Sequence, residues 1–428
     1  MQLSKYNIYI KDDDKIQIFN TLTHSFVRIK QSDLEDARLH ESQITQKLLD
    51  MGILINQANE DVYKYKYLHN TKKFRQDVLF LYVCPTTSCN FSCSYCFEGE
   101  KKTLAYMNNE VENAVIEYIS KYKGKDINIV WFGGEPLLGL KHIVRIDKEL
   151  KEKDVKYTSS MITNGSLLTE KNVTLLKDLP LDFIQISMDG VKEVQDSRRF
   201  FHSGKGSFDF VMKGIDRLLS KTSIHISIQV AVDKQNIDSY ENLLEYMNTH
   251  YPKEMDEKRI EVSYNVIGDR TNFDNGKICF NHTERFKYIK HINQLNIKNK
   301  KPLGLPGLSQ PCMYRSTNSY AIDAEGYLYK CLEHVGKPKY AVGNLLKQKV
   351  SLSKLAECAF SFSAFDNKEC VNCPVFPICG GGCPTDRIKE KGKNFASCSF
   401  YKEYITNILS IHYCPIKKGN SIFEIVEL

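Results

Sequence analysis

Short apolar runs of strand length alternate with amphipathic helical segments from Val78 onward. The helical period is clear in NEVENAVIEYISKY, where Val111, Val115 and Ile119 recur every four residues. The strand-like runs are VLFLYV, INIVWF, YTSSMIT, FIQISMD, SIHISIQVAV and RIEVSYNV. Because strands that alternate with helices form parallel sheets through right-handed crossovers, this pattern predicts six β/α units.

Several of these strands alternate between apolar and polar residues, whereas strands of a packed parallel barrel are nearly continuous apolar runs. In SIHISIQVAV the apolar positions are the even-numbered residues from Ile224 to Val232, and His225, Ser227 and Gln229 lie between them. Helices must cover the apolar faces. The polar faces then point inward, which predicts a wet interior able to hold a ligand.

The first 75 residues have a different pattern. YNIYI, KIQIFN and SFVRIK are short strand-like runs separated by polar turns, and a helical segment around SQITQKLLDMG follows them. We therefore expect a small module in which strands precede helices. Its order alone does not distinguish a ligand-binding module from a structural extension of the protein.

Composition narrows the function classes. Of the 428 residues 42% are hydrophobic and 26% are charged, and no run approaches the roughly 18 apolar residues of a membrane span. The amino terminus lacks the apolar segment of a signal peptide, so we expect a cytoplasmic protein without a membrane partner. The net charge of +7 is spread along Lys-rich helices and loops, which favours solvated surfaces over a nucleic-acid site. Fourteen cysteines in such a protein indicate metal binding rather than disulfides.

Three of these cysteines lie close together directly after the first apolar strand. Cys89, Cys93 and Cys96 form a C-x-x-x-C-x-x-C array, and soft thiolate ligands favour zinc or iron-sulfur centres. A structural zinc site would need a fourth Cys or His nearby, but Phe97 and Glu98 follow. The array therefore offers three ligands and leaves one metal position open.

This array, with an aromatic residue before its last cysteine, resembles the signature of the radical S-adenosylmethionine (SAM) enzymes. The resemblance implies a 4Fe-4S cluster on Cys89, Cys93 and Cys96, whose fourth iron binds SAM. It also implies cleavage of SAM to a 5'-deoxyadenosyl radical, which abstracts a substrate hydrogen, and a partial (β/α)6 barrel as the fold.

Further matches to this family fall at the predicted strand ends. Gly133-Gly134-Glu135-Pro136 resembles the G-G-E-P motif that contacts the SAM amino group, and glycine there lets the backbone approach a ligand closely. The resemblance also assigns SAM contacts to Tyr95, Asn164, Ser187, Arg199 and Val230. Arg199 would be a carboxylate partner, a task that suits a bidentate guanidinium. The catalytic residues that act on the substrate stay unknown.

Beyond about residue 300 the β/α alternation stops and a second cysteine set begins. Its members are Cys312, Cys331, Cys370, Cys373, Cys379, Cys383 and Cys398. Their spacing resembles the seven-cysteine SPASM extension, which carries two auxiliary 4Fe-4S clusters; zinc in a C-x-x-C pair is the alternative. The remaining cysteines match no ligand position and are predicted to be core residues: Cys84, Cys279, Cys358 and Cys414.

The resemblance also divides this second set between two clusters. One cluster would be fully ligated by Cys370, Cys373, Cys379 and Cys398. The other would have Cys312, Cys331 and Cys383, and MYRSTNSY after Cys312 contains no fourth cysteine. A substrate thiolate, another side chain or water would complete its coordination. The expected cofactors are thus three 4Fe-4S clusters and SAM.

Together these features resemble a radical SAM/SPASM peptide maturase. Residues 1–75 would be a winged-helix-like recognition module that binds the leader of a ribosomally made precursor peptide, 76–300 the barrel and 301–428 the SPASM domain. The product would be a thioether or a carbon-carbon crosslink, and flavodoxin or ferredoxin would be the external electron donor. The alternatives are an enzyme of the anaerobic sulfatase-maturing type, which oxidises Cys or Ser in a folded protein, and a non-catalytic iron-sulfur electron carrier.

Overall fold

The computed structural model describes residues 1–12, 15–93, 95–96, 104–267, 278–280, 284–285, 287–292, 307–389, 405 and 409. The chain divides into two compact units. The first contains Met1–Phe74, His282–Ser316 and Ala359–Leu428, and the second contains Arg75–Asn281 and Thr317–Cys358. Each unit is thus assembled from segments that are distant in sequence. The three-domain division by chain order, with boundaries at residues 75 and 300, remains a prediction.

The first unit begins with strands followed by helices, in the predicted order. The elements are β1 (Gln2–Leu3), β2 (Asn7–Asp12), β3 (Lys15–Asn20), β4 (Phe26–Lys30), α1 (Gln31–Leu39), α2 (Gln43–Asp50), β5 (Leu54–Ile55) and α3 (Glu60–Lys73). The β3 strand lies antiparallel between β2 and β4, and β1 pairs with β5. A capping box between Ser42 and Thr45 starts α2. The winged-helix assignment remains a prediction.

The three-stranded sheet is buried on both faces at β2 and β3, because these strands carry apolar side chains on both sides. One face packs on α1 and α2 in a core that includes Tyr9, Ile16, Ile18, Leu34 and Leu48. The opposite face packs on the residues that follow Cys373, in a core that includes Ile8, Ile10, Phe19, Val375 and Ile378. The amino-terminal sheet and the cysteine-rich segment therefore share one hydrophobic core.

Short helices and glycines shape this cysteine-rich segment, which we define as residues 368–389. Its helices are Lys368–Val371, Phe376–Cys379 and Pro384–Lys389. Between the last two, Gly380, Gly381 and Gly382 have φ of 63°, 85° and 77°, a conformation that other residues rarely adopt. Thr21 of the amino-terminal module donates a 2.5 Å hydrogen bond from Oγ1 to the Pro374 carbonyl, and Lys5 Nζ donates to Asn372 at 2.9 Å.

The second unit contains the six predicted parallel strands. They are β6 (Val78–Val83), β7 (Asp126–Trp131), β8 (Thr158–Thr163), β9 (Leu181–Met188), β10 (His225–Val232) and β11 (Ile260–Val266). The intervening helices are α4 (Asn109–Ser120), α5 (Leu140–Glu152), α6 (Glu170–Leu176), α7 (Lys192–Arg198), α8 (Phe208–Lys221), α9 (Ser239–His250) and α10 (Pro252–Asp256). Each neighbouring pair of these strands is parallel.

The predicted alternation of apolar and polar positions is confirmed in β10. In β10, Ile226, Ile228, Val230 and Val232 are fully buried, and the residues between them are partly exposed. The inward faces of β6 to β9 line a cavity of about 240 Å³, whose lining includes Phe80, Tyr82, Asn128, Ser160 and Gln185. The inward face of the sheet thus borders a cavity and carries polar and aromatic side chains.

Four further strands extend this sheet beyond the six predicted ones. They are β12 (Ser319–Ile322), β13 (Tyr327–Tyr329), β14 (Gly343–Asn344) and β15 (Lys349–Val350), which follow β6 in the order β6-β12-β13-β14-β15. Only β12 continues the parallel arrangement. The signal in the sequence was the Asp323–Gly326 turn between two apolar runs, where Gly326 has φ of 78°.

In the parts of the chain that the structure describes, no helix combines the length and the apolar character needed to cross a membrane.

Candidate active site

The loop that follows β6 carries the three clustered cysteines. Burial raises the pKa of Cys89 to about 12, and negative charge on Glu135, Cys93 and Cys96 raises it further. The pKa of the Cys93 thiol is also raised, chiefly by burial, while the Arg199 cation opposes that rise. The three thiols therefore lie within electrostatic range of one another and need added positive charge to ionise. A bound iron centre supplies such charge, so the donor set fits an iron-sulfur cluster.

Gly133 and Gly134 pack directly against this cysteine loop. A Cβ atom on Gly133 would stand 2.3 Å from the Thr86 carbonyl oxygen, and one on Gly134 would stand 2.3 Å from that of Ser88. The Gly134 amide donates to the Thr86 carbonyl at 3.2 Å. The sequence predicted glycine here for close approach to a ligand. The structure adds another reason, because the two loops approach each other too closely for a side chain.

Glu135 is fully buried and braces two strand ends. Its carboxylate accepts hydrogen bonds from the Leu137 amide at 3.0 Å, Thr163 Oγ1 at 2.7 Å and the Asn164 amide at 2.8 Å. Burial raises the pKa of this carboxyl, and the three donors oppose that rise. Glu135 thus fixes the end of β8 relative to the Gly133-Gly134 turn. Its predicted contact to SAM remains a prediction.

Asn164 links the same strand end to the cysteine loop. Its Nδ2 donates to Asn90 Oδ1 at 2.8 Å and lies 3.9 Å from Cys89 Sγ, and its Oδ1 accepts from Ser166 Oγ at 2.7 Å. Asn90 Nδ2 in turn donates to Ser166 Oγ at 2.9 Å. This network holds Asn164 beside the first predicted cluster ligand.

Ser187 and Val230 are placed differently from each other. Ser187 is partly exposed on the inward face of β9 and pairs in register with Gln229 of β10. Val230 is fully buried on the opposite face of β10. An inward ligand can therefore meet the Ser187 side chain, whereas Val230 offers it only backbone atoms.

Tyr95 and Arg199 belong to a buried ion-pair network. The Tyr95 hydroxyl donates to Asp189 Oδ1 and accepts from Arg199 Nη1 at 2.8 Å. Arg198 Nε donates to Asp189 Oδ2 at 2.7 Å, and its Nη2 donates to Asp233 Oδ2 at 2.6 Å. Two guanidinium groups thus balance two carboxylates. This balance and the hydrogen bonds offset the cost of burying the charges.

Sequence reasoning did not assign Arg198, Asp189 or Asp233 a place in this network. The available signal was the position of each aspartate, because Asp189 directly follows β9 and Asp233 directly follows β10. The carboxyl ends of parallel strands lie at the same edge of a sheet, which brings the two carboxylates close together. Arg199 Nε is buried without a hydrogen-bond partner in the described part of the chain, so this edge retains a donor for an anionic group.

The segment after α7 also supports the cysteine loop. Phe201 forms an isolated bridge with Phe91, and their rings meet edge to face with centroids 5.0 Å apart. His202 Nε2 lies 2.9 Å from the Cys89 carbonyl oxygen. The loop is therefore held from the glycine turn, from the end of β8 and from this segment. No pattern in the sequence indicated the contacts of Phe201 and His202 with this loop.

The second cysteine set is spread over both units. In the first unit Cys370 is buried, Cys373, Cys379 and Cys383 are partly buried, and Cys312 is exposed. Cys331 belongs to the second unit, and Cys398 lies outside the described residues. Within the described ranges, no three His, Cys, Asp or Glu side chains meet as a single-ion site. The ligand assignments therefore remain predictions.

Comparison with known proteins identifies the domain that contains the site. Residues 83–247 match the Radical SAM superfamily. The serine-type anaerobic sulfatase-maturating enzyme of Klebsiella aerogenes is 24% identical over 361 residues, which cover 76% of this chain and 83% of the relative. The radical SAM cyclopropyl synthase TigE of Paramaledivibacter caminithermalis is 22% identical over 436 residues, covering 92% of this chain and 87% of TigE.

A solved structure matches a still larger share of the chain. The crystal structure of Streptococcus suis SuiB bound to precursor peptide SuiA superposes with a TM-score of 0.54 and 15% identity. The match covers 93% of this chain and 99% of SuiB. At this identity it establishes the fold.

Proposed function

Starting from a Radical SAM enzyme, we propose that this chain installs a thioether or carbon-carbon crosslink in a ribosomally synthesised precursor peptide. The observation that carries the proposal is coverage. TigE and the peptide-bound SuiB each match more than nine-tenths of the chain, whereas the sulfatase-maturating relative matches 76%. The two longer matches leave little of the chain unmatched. In a peptide maturase, the amino-terminal module would have a role, which is to bind the leader of the precursor.

The residues around the cysteine loop would hold the cofactors. Cys89, Cys93 and Cys96 would bind a 4Fe-4S cluster, and SAM would lie along the inward strand ends near Ser187 and Arg199. When bound, the cluster and SAM together supply a 5'-deoxyadenosyl radical that removes a hydrogen atom from the substrate. The orphaned Arg199 Nε offers a charged donor to a carboxylate.

The other two clusters and the leader site complete the proposal. The second cysteine set would hold two auxiliary 4Fe-4S clusters. The leader would add a strand to the edge of the amino-terminal sheet, whose strand order is β2-β3-β4. Main-chain hydrogen bonds would then supply affinity, and neighbouring side chains would supply selectivity. Electrons would come from a flavodoxin or ferredoxin.

A maturase of folded proteins is the second candidate, because the sulfatase-maturating relative matches three-quarters of the chain. In that reaction a Cys or Ser of a protein is oxidised without a leader. The non-catalytic electron carrier is set aside, since the Radical SAM domain makes the chain an enzyme.

The test uses reconstituted enzyme, SAM, a reductant and short peptides encoded beside the gene. We expect deoxyadenosine to form, and a peptide with a deuterated target residue to transfer deuterium to it and gain a crosslink. Full-length peptide should react faster than leaderless peptide. Equal turnover of the two would contradict leader recognition, and oxidation of a sulfatase-derived peptide alone would establish the second candidate.

Cysteine variants provide the matched control. Changing Cys89, Cys93 and Cys96 together to Ala should remove about four irons per chain and abolish SAM cleavage. Cys358 is a buried cysteine at no predicted ligand position. Changing it to Ala should leave the iron content and the SAM cleavage unchanged. Retained cleavage in the triple variant would overturn the cluster assignment.

A further inference from the structure

Two tyrosine hydroxyls in the first unit are buried without a hydrogen-bond partner among the residues that the structure describes. Tyr6 precedes β2 and is 0% exposed, and Tyr65 lies in α3 and is 1% exposed. Among the described residues, neither hydroxyl oxygen has a partner. Because an unpaired buried hydroxyl costs stability, such groups point to an acceptor other than the protein atoms that the structure describes.

Both rings lie against the cysteine-rich segment. Tyr6 and Tyr65 share a hydrophobic core with Cys370 and Phe376. The Tyr65 ring meets Phe376 edge to face with centroids 5.0 Å apart. Its hydroxyl oxygen lies 4.0 Å from the point where a Cβ on Gly380 would stand, one residue after Cys379. Both phenols are thus positioned beside the predicted ligands.

Electrostatics connects each phenol to one cysteine. The pKa of Tyr6 is raised, chiefly by burial and by Asp61, with a smaller contribution from Cys373. The pKa of Tyr65 is raised by burial and then by negative charge at Cys379. Both phenols therefore stay protonated and retain an O–H group to donate.

Two other cysteines of the segment already have donors. Arg387 Nη1 donates to Cys370 Sγ at 3.5 Å, and Arg387 is buried. Thr385 Oγ1 lies 3.0 Å from Cys383 Sγ. Two of the four cysteines between residues 370 and 383 therefore already have a polar hydrogen beside the sulfur, and the two phenols lie beside the same segment. Thiolate ligands of an iron-sulfur cluster commonly accept such hydrogen bonds.

We propose that the Tyr6 and Tyr65 hydroxyls donate hydrogen bonds to sulfur atoms of the auxiliary cluster whose predicted ligands include Cys370, Cys373 and Cys379. This inference rests on the proposed function, which supplies that cluster. Reduction adds one negative charge to the cluster, and donors to its sulfurs stabilise that charge, so they raise the reduction potential. The amino-terminal module would then form one wall of a redox site in addition to any peptide it binds.

The test is a redox titration of the full-length reconstituted enzyme, followed by electron paramagnetic resonance. In Tyr6→Phe and Tyr65→Phe each, the reduced-to-oxidised ratio of this auxiliary cluster at a fixed potential should fall by about tenfold. Such a change equals about 59 mV for a one-electron couple. The signal of the cysteine-loop cluster should not move. An unchanged auxiliary potential at full iron content would overturn the inference.

Tyr9→Phe is the matched control. Tyr9 lies in the same module, but it packs on the face of the sheet that contacts α1 and α2, away from the cysteine-rich segment. Its hydroxyl accepts a hydrogen bond from Asn7 Nδ2 at 3.2 Å. Its removal should leave the auxiliary potential unchanged, and an equal shift in this variant would show a general effect of hydroxyl loss. Wild-type enzyme with about four irons instead of about twelve would refute the cluster count of the proposed function and this inference together.

Discussion

Individual residues show both the power and the limit of sequence reasoning. Family motifs identified Glu135, which follows a strand end, and Arg199, which ends a D-x-x-R motif. They did not show that Glu135 accepts three protein hydrogen bonds, or that Arg199 shares a network with Arg198 and Asp233. Thr163, Asn164 and Asp233 lie at strand ends distant in sequence from Glu135 and Arg199, so no local period in the sequence records these contacts.

Asp189 provides a test at this scale. Its side chain is fully buried and accepts hydrogen bonds from Arg198 and Tyr95. Changing Asp189 to Asn leaves two guanidinium groups beside one carboxylate, so unfolding free energy should fall by about 3–5 kcal/mol. Urea unfolding of the apoprotein, followed by the fluorescence of Trp131 in the second unit, measures the change.

The control is Asp209→Asn, which removes an exposed carboxylate 2.6 Å from Lys192. Surface ion pairs contribute little, so this variant should lose less than about 1 kcal/mol. Similar losses in the two variants would show that the Asp189 network does not carry the stability assigned to it.

At the scale of elements, periodicity predicted the six parallel strands and their buried faces, because burial on one side imposes alternation. It missed β12 to β15, which are four residues long or shorter and too brief to show a period. It also gave no sign that α3 packs its Tyr65 and His69 rings on Phe365. That contact joins residues about 300 positions apart in the chain.

His69 makes the stability of the α3 packing depend on pH. Burial, with nearby Lys73, lowers the pKa of His69 from 6.5 to about 4 in the folded protein. A histidine with a lowered folded pKa contributes its full stability above the unfolded pKa, and that contribution is lost as pH falls from 6.5 towards 4. Since His69 is partly exposed, we expect a loss of about 1–2 kcal/mol between pH 7.5 and pH 4.5.

Urea unfolding by circular dichroism at several pH values measures this effect in the apoprotein. His69→Phe keeps a ring against Tyr65 and Phe365 but cannot titrate, so its stability should fall less over the same range. Parallel pH profiles for the variant and the wild type would show that another group is responsible.

At the scale of the whole molecule, sequence order suggested an amino-terminal module, a barrel and a cysteine-rich end. The first unit of the structure contains segments from both ends of the chain, and in it Ile8, Ile10 and Phe19 pack with Val375 and Ile378 in one hydrophobic core. In the sequence, the residues around Ile8 to Phe19 and those around Val375 are ordinary apolar segments. Their local sequence does not specify which other segment each one packs on. Deleting the module would therefore damage the core around the predicted auxiliary cluster as well as any leader site.

A pair of matched variants separates these two roles of the module. Ile10 is buried on the face of the sheet that packs on the cysteine-rich segment, and Ile16 is buried on the face that packs on α1 and α2. A buried, unpaired carboxylate disrupts the core in which it lies.

Ile10→Asp should therefore lose auxiliary iron, towards about four irons per chain, and still cleave SAM. Ile16→Asp should keep most of its iron but lose the preference for full-length over leaderless peptide, because α1 and α2 no longer pack on the sheet. Iron analysis, deoxyadenosine formation and peptide turnover measure the three quantities, and equal iron contents in the two variants would contradict the division of roles between the two faces.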